Sequence, residues 1–420
     1  MGLHILGLSS NFAITNLTYN TTESDLLPSK AGIGVSEDPI DSAMRALEEG
    51  RPQDAIDILE PIVNNDDEDV DALVCLGMAY VQSENPEKAV TVLEQAEELV
   101  EQHYVVELFL GRALWALGKL SDAEDRIREA LRLDSSEPEV WLDLGRIMYR
   151  NNQYKEAMKH LEKALNRFPD DLGIRGLYAL TLYRLGDFTA ATDEWGIVHR
   201  LNPELMAAIS NYAYLLLLQN RSYEASPFVG RANTVDPNDY RSLILLGELR
   251  LQSEEYEGAI DCFNKVLDQD PSNIEALSRL AYLAHVAGEE SKLSIFLTRA
   301  EAELGRDPES WRGMCQLYSL LGMDDDYIDC LARWTQADKG TAAPWVLLAK
   351  EYDCIGKLEQ SRNAWRRVFE LRGYVKIYCS GCEEEIRIPY DPVKGFDVYQ
   401  DIPCGRCGTT IIMPIGLAVT

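Results

Sequence analysis

A skeleton of small, aromatic and proline residues returns every 34 positions through this chain, and no other feature constrains its fold as tightly. The segment VWLDLGRIMYRNNQYKEAMKHLEKALNRFPDD carries Trp141, Leu144, Gly145, Tyr149, Ala157, Leu161, Ala164 and Pro169. One step back lie Leu110-Gly111, Ala123 and Ala130, and a further step reaches Leu76-Gly77, Tyr80, Ala89 and Ala96. Forward steps give Ala191 and Pro203, then Ala225, Ala232 and Pro237, then Leu246-Gly247, Ala259, Phe263 and Pro271. The register runs without insertion from about Val70 to Asn273. A looser repeat follows with Leu280-Ala281 and Ala300, Trp311 and Trp345 mark two degenerate ones, and a half-matching unit surrounds Ala43 and Ala55. Small residues at the eighth, twentieth and twenty-seventh positions let two helices of one unit approach closely. Proline at the thirty-second stops the second helix and forces a turn. A single unit cannot bury its apolar face, so the units must stack.

This skeleton resembles the tetratricopeptide (TPR) repeat at nearly every signature position. The resemblance implies a mainly α fold, a right-handed superhelix of about ten helix pairs (A and B in each pair) over residues 36–371, with a concave inner groove. In that family the groove is lined by helix A positions five, nine and twelve, among others. Carried over, position twelve is Val81, Trp115, Tyr149, Tyr183, Leu217, Leu251 and His285. Position nine is Met78, Arg112, Arg146, Leu180, Tyr214, Glu248 and Tyr282, and position five adds Val74, Leu108, Leu142 and Ile244. An aromatic and aliphatic stripe with two arginines fits a partner peptide or helix that brings apolar anchors and a carboxylate. Packing against neighbouring A helices, or against a tail of the same chain, is the competing reading. The Lys and Asn clamp by which chaperone-binding members hold a C-terminal carboxylate is missing from the matching positions.

After Gly373 the periodicity changes. YVKIY, EEIRIPY and TTIIMP read as short strands, and Cys379, Cys382, Cys404 and Cys407 fall at the turns between them. The spacing C-x2-C-x21-C-x2-C suits tetrahedral thiolate coordination by two tight knuckles. It resembles a zinc ribbon or rubredoxin-type domain, here within residues 372–420 as a small β module. Gly408 follows the second knuckle as that turn prefers, and Glu383 takes the corresponding place in the first. Four thiolates leave a metal no open position, which favours structural zinc over iron. Residues 1–35, apolar at first and then linker-like, are expected to be a flexible segment, or one that folds into the groove of its own chain.

Composition narrows the function. A formal net charge of -30 repels nucleic acid, and from Arg372 onward six acidic residues face five basic ones. No apolar run approaches the roughly 20 residues of a membrane span, no secretory signal is recognisable, and the chain is expected to be cytoplasmic. Cys75, Cys262, Cys315, Cys330 and Cys354, each alone in a helical pattern, are expected to be small buried hydrophobes. The five histidines form no triad or metal motif. LGKLS at Leu117 to Ser121 lacks the upstream glycine of a phosphate loop and falls between helices A and B. No catalytic residue stands out.

The expected function is a non-catalytic scaffold or adaptor that takes a protein partner in the groove, with the metal module as a second docking element. An iron electron carrier or redox sensor at the four cysteines is the alternative. The order of repeats and metal module is also similar to that of bacterial TPR adaptors that present a biosynthetic enzyme to a membrane protease, although those carry a transmembrane anchor ahead of the repeats. A regulatory adaptor for a protease or biosynthetic enzyme is a further alternative on that ground.

Overall fold

The helix starts follow from local chemistry that repeats with the period. Side chains of Asp38, Asp69, Asp239 and Asn273 accept hydrogen bonds from the backbone amides of Ile40, Ala72, Ser242 and Ala276, satisfying donors that a helix N-terminus leaves open. Elsewhere proline takes the first helical position, as at Pro86 and Pro138, where its missing N–H is no loss. In the computed structural model, which describes residues 38–100, 102–304, 308–379, 381–382, 384–389, 402–404 and 406–411, twenty α-helices result.

The first eight are α1 (Pro39–Glu48), α2 (Pro52–Asn65), α3 (Val70–Gln82), α4 (Pro86–Leu99), α5 (Tyr104–Ala116), α6 (Leu120–Leu133), α7 (Pro138–Arg150) and α8 (Tyr154–Arg167). There follow α9 (Leu172–Arg184), α10 (Phe188–Leu201), α11 (Met206–Leu218), α12 (Ser222–Val235), α13 (Tyr240–Gln252) and α14 (Tyr256–Gln269). The last are α15 (Ile274–Val286), α16 (Glu290–Glu303), α17 (Pro308–Leu321), α18 (Asp324–Ala337), α19 (Ala343–Cys354) and α20 (Leu358–Arg372). Odd numbers are A helices and even numbers B helices. The expected helical array is thus present, and no helix among the described residues is long and apolar enough to cross a membrane.

The repeat is more regular than its side chains suggest. The turn from A to B contains a residue with positive φ at Gly50, Glu84, Gly118, Asn152, Gly186, Asn220, Glu254, Gly288, Gly322 and Gly356, each 34 residues after the last. The looser register expected beyond Asn273 is therefore a matter of side chains, because the backbone keeps step to the end of the array. Inside each pair the expected close approach is real. A Cβ on Gly247 would stand 2.7 Å from the Phe263 ring, and Ala89, Ala96, Ala123, Ala130, Ala225 and Ala232 are fully buried.

The chain divides into two compact units. Among the described residues, one holds 38–153 and 159–174, and the other holds 154–158 and everything from Arg175 on. They are called here the N-terminal and C-terminal units.

Gly373 ends α20 at φ 81, its amide donating to the Phe369 carbonyl at 2.7 Å, a left-handed cap that glycine adopts without a Cβ penalty. The chain then enters β1 (Tyr374–Cys379), which pairs antiparallel with β2 (Glu384–Pro389) from Tyr374↔Pro389 to Cys379↔Glu384. A second short pair joins β3 (Ile402–Pro403) to β4 (Thr410–Ile411). Residues 1–35, and Glu383 of the first knuckle, lie outside the described residues.

Candidate partner-binding face and thiol cluster

In the N-terminal unit the carried-over positions divide by depth. Met78, Leu108, Leu142 and Tyr149 are buried and belong to the core, whereas Val81, Arg112, Trp115 and Arg146 are half-buried. The two arginines already have carboxylates. Arg112 on α5 reaches the next A helix, its Nε donating to Asp143 at 2.6 Å and its Nη2 to Glu139 at 2.9 Å. Arg146 donates to the same Asp143 at 3.3 Å. Burial works against the charge of Arg112, but Asp143 and Glu139 outweigh it and hold the guanidinium above its ordinary pKa. Two positive groups facing two negative ones leave little field for a further carboxylate, so the apolar Val81 and Trp115 are the chemistry this face still offers.

In the C-terminal unit the same positions are filled by the chain. Leu180, Tyr214 and Leu217 are buried, and Tyr183 and Tyr282 are half-buried. The hydroxyls of Tyr183 and Tyr214 lie 3.0 Å apart, Phe188 packs on the Tyr183 ring at 5.5 Å, and the Arg312 guanidinium lies 5.4 Å from the centre of that ring. Arg312 belongs to α17, four A helices after α9. Deeper in the unit Arg279 donates to Glu248 and, at 2.7 Å, to Gln316, so three A helices share one buried polar chain. Of the side chains expected to line the groove here, Tyr183 and Tyr214 contact each other.

Beside this face the chain returns to α9 at the junction of α20 and β1. Arg372, fully buried, donates from Nε to the carbonyl of Leu185. Tyr374 donates its hydroxyl to Asp187 at 2.6 Å, and the Lys376 ammonium donates to the other oxygen of the same carboxylate at 2.7 Å. Burial by itself raises the Asp187 pKa, but Arg372, Lys376 and the two hydrogen bonds overcome it and leave the group below the usual carboxylate range. The start of α19 joins the same place. Ala342 donates its amide to the Arg184 carbonyl at 3.2 Å, and a Cβ on Gly186 would stand 3.2 Å from the Ala343 backbone. Lys155 donates to the Glu370 carbonyl at 3.1 Å from the other side.

The four late cysteines do converge. Their sulfur atoms all lie within 4.8 Å of one another, with Cys379 to Cys407 at 3.5 Å and Cys382 to Cys404 at 3.8 Å. Disulfides need about 2.05 Å, whereas the edge of a tetrahedron with metal–sulfur bonds of about 2.3 Å is about 3.8 Å. The donor set therefore fits a tetrathiolate ion. The knuckles meet closely: a Cβ on Gly381 would overlap the Thr409 side chain, and Gly408 takes φ 75 in the second turn. The Cys407 amide points at the Cys404 sulfur at 3.5 Å, as knuckle amides do toward a thiolate.

Of the five single cysteines, Cys75, Cys262, Cys315 and Cys330 are buried as expected. Cys354 is exposed, because it closes α19 next to the turn at Gly356. His160 stacks on Trp141 at 5.0 Å and bonds the Trp141 carbonyl, and burial lowers its pKa to about 4, a packing role. Sequence reasoning passed over Asp143, Asp187, Arg372, Tyr374 and Lys376. For Asp143 a signal existed, an opposite charge 31 residues after Arg112. For Asp187 none did, since its partners lie 187 and 189 residues away.

Sequence profiles described as tetratricopeptide repeat match residues 46–108, residues 110–171 and 142–204, and residues 240–273. Among curated proteins, the "DnaJ homolog subfamily C member 7 homolog" of Dictyostelium discoideum is 24% identical over 219 residues, 48% of this chain and 41% of its own length. "BBSome complex member BBS4" of Bos taurus is 22% identical over 232 residues, 55% of this chain and 44% of its own. The chain thus spans less than half the length of these relatives. Among solved structures, pilF of Pseudomonas aeruginosa aligns at 23% identity with a TM-score of 0.45, covering 49% of this chain and 93% of that one.

Proposed function

We propose that this chain, whose helices are tetratricopeptide repeats, is a non-catalytic scaffold that takes a protein partner on the A-helix face of its N-terminal unit. The observation that carries the reading is a difference in engagement. Val81 and Trp115 are half-buried, as Tyr183 is, but the Tyr183 hydroxyl lies against that of Tyr214 and its ring lies under Arg312, so at that position of the C-terminal unit the chain supplies its own partners. A half-buried Trp is a good anchor, since large aromatic groups bury much area and lose little rotamer freedom. The partner this face suits is an apolar helix or extended peptide, its anchors placed over Trp115 and Val81. Arg112 and Arg146, neutralised by Asp143 and Glu139, leave the apolar groups to set what binds.

Cys379, Cys382, Cys404 and Cys407 would hold a structural zinc ion, which supplies folding free energy to strands too few to bury a core. A module of this kind, residues 372–420, follows a solenoid of residues 36–371. The setting is expected to be cytoplasmic, where such thiols stay reduced.

Two measurements test this. The purified 420-residue chain should contain about one zinc per chain and show no visible absorption. A coloured iron-tetrathiolate sample would move the reading to electron transfer. A Trp115→Ala, Val81→Ser variant with the parent's helical circular dichroism should lose the partner that the parent retains on co-purification. If the partner stays bound to that variant, the face is not its site.

A further inference from the structure

The contacts around Asp187 have the make-up of a receptor and an occupant. On one side stand the carboxylate of Asp187 and the carbonyls of Arg184 and Leu185, where the A helix ends and the turn to the B helix begins. On the other stands an extended strand that brings an aromatic hydroxyl and, two residues later, an ammonium group, both to the same carboxylate. Residues i and i+2 of a strand point to one face, so a tyrosine and a lysine at this spacing reach one acceptor pair together. Asp187 is itself almost fully buried and caps α10 through the Ala190 amide, which fixes its orientation before the strand arrives.

The strand also sits where it controls the face beside it. Arg372 at its base lies against Gly186 and bonds Leu185, and the α19 start bonds Arg184. Tyr183, the neighbour of Arg184, is the residue over which Arg312 of α17 closes. Both guanidinium Nη atoms of Arg372 are buried without a hydrogen-bond partner among the described residues, so although Asp187 offsets its charge, the base of the strand carries unpaired donors whose cost favours release over permanent fusion.

We propose that the α9–α10 turn is a docking site for an extended segment of the type aromatic-x-lysine, that Tyr374 to Lys376 of the same chain occupy it, and that this occupancy keeps the A-helix face of the C-terminal unit shut. A partner strand with the same two groups in the same order displaces the chain's own strand and exposes Tyr183 and Tyr214. The consequence for partner binding rests on the scaffold reading above. The docking itself does not, and its test needs no partner.

The test is hydrogen exchange on the full chain, read peptide by peptide. A Tyr374→Phe, Lys376→Met variant keeps the strand's bulk and removes both bonds to Asp187. Exchange in β1, in the 184–190 turn and in α17 should rise about tenfold or more, with α3 to α7 unchanged. Adding a synthetic peptide of residues 373–378 (GYVKIY) at millimolar concentration should restore protection of the turn in this variant but not in one that also carries Asp187→Asn. If the variant exchanges like the parent, the strand is not what holds the face shut. If the variant opens but the peptide protects nothing, the site recognises no strand in trans and the receptor is overturned. Should the variant lose its helical signal altogether, Lys376→Met alone, with Tyr374 still in place, carries the same comparison.

Discussion

One step of 31 residues joins position nine of an A helix to position six of the next in both units, yet with opposite polarity and with the arginine exposed to a different degree. In the N-terminal unit Arg112 reaches forward to Asp143, and in the C-terminal unit Glu248 reaches forward to Arg279. The side chain of Arg112 is 19% exposed, that of Arg279 not at all. The repeat therefore specifies that a charge pair forms at this point and is indifferent to its direction. What surrounds the pair decides whether it borders an open face or becomes part of a filled one.

The largest effect should come from breaking the filled case. Arg279→Ala leaves Glu248 buried without its countercharge, and burial already raises the Glu248 pKa against the pull of Arg279. Losing one member of a buried pair costs about 3–5 kcal/mol. Arg112→Ala removes a partly hydrated partner, and about 1–2 kcal/mol is expected there. Urea unfolding of both variants measures the contrast. Equal losses would mean that the two pairs share one environment and that the difference in exposure has no energetic weight.

Next in size is a pH effect confined to the C-terminal unit. The folded-state pKa of Asp187 lies below its unfolded value of about 3.9, because Arg372, Lys376 and its hydrogen bonds outweigh burial. A depressed carboxylate contributes stability that is fully present above the unfolded value and is lost as pH falls through the folded one. Asp187→Asn keeps the helix cap and removes the charge. The stability gap between parent and variant should stay constant from about pH 7 to 5 and shrink below about pH 4. A gap that already closes between pH 7 and 5 would point to a different titrating group at the strand.

These effects show where the sequence could be read and where it could not. Helix pairs, close-approach glycines and buried alanines are local consequences of a 34-residue period, so they were legible residue by residue. The turn glycines Gly288, Gly322 and Gly356 keep the same 34-residue step, but the degraded side-chain pattern around them hid it from the sequence reading. The four thiols were legible because metal ligation fixes both residue type and spacing. The closure of the C-terminal unit was not. Nothing in Asp187 distinguishes it from other helix-capping aspartates, and its partners are set by how many units stack before the chain returns, a property of accumulated geometry. The surroundings of Tyr183 were equally hidden, since Arg312, which lies over its ring, belongs to a helix far along the chain.

The smallest effect tests whether the two units melt as separate bodies. Most A-to-B turns place glycine or asparagine at positive φ, but Glu84 in the N-terminal unit and Glu254 in the C-terminal unit adopt φ of 59 and 62. A residue with a Cβ is strained there by about 1–2 kcal/mol. Glycine removes that strain, at an entropic cost of about 0.5–1 kcal/mol. Glu84→Gly and Glu254→Gly should therefore each stabilise by about 0.5–1 kcal/mol. In a solenoid, stability is close to a sum of unit and interface contributions, so the gain should stay with the unit that holds the change. Hydrogen exchange would then slow in α3 and α4 for the first variant and in α13 and α14 for the second. A gain spread evenly over all helices in either variant would show one cooperative body, and the contrast between an open and a filled face would then be a contrast of surface alone.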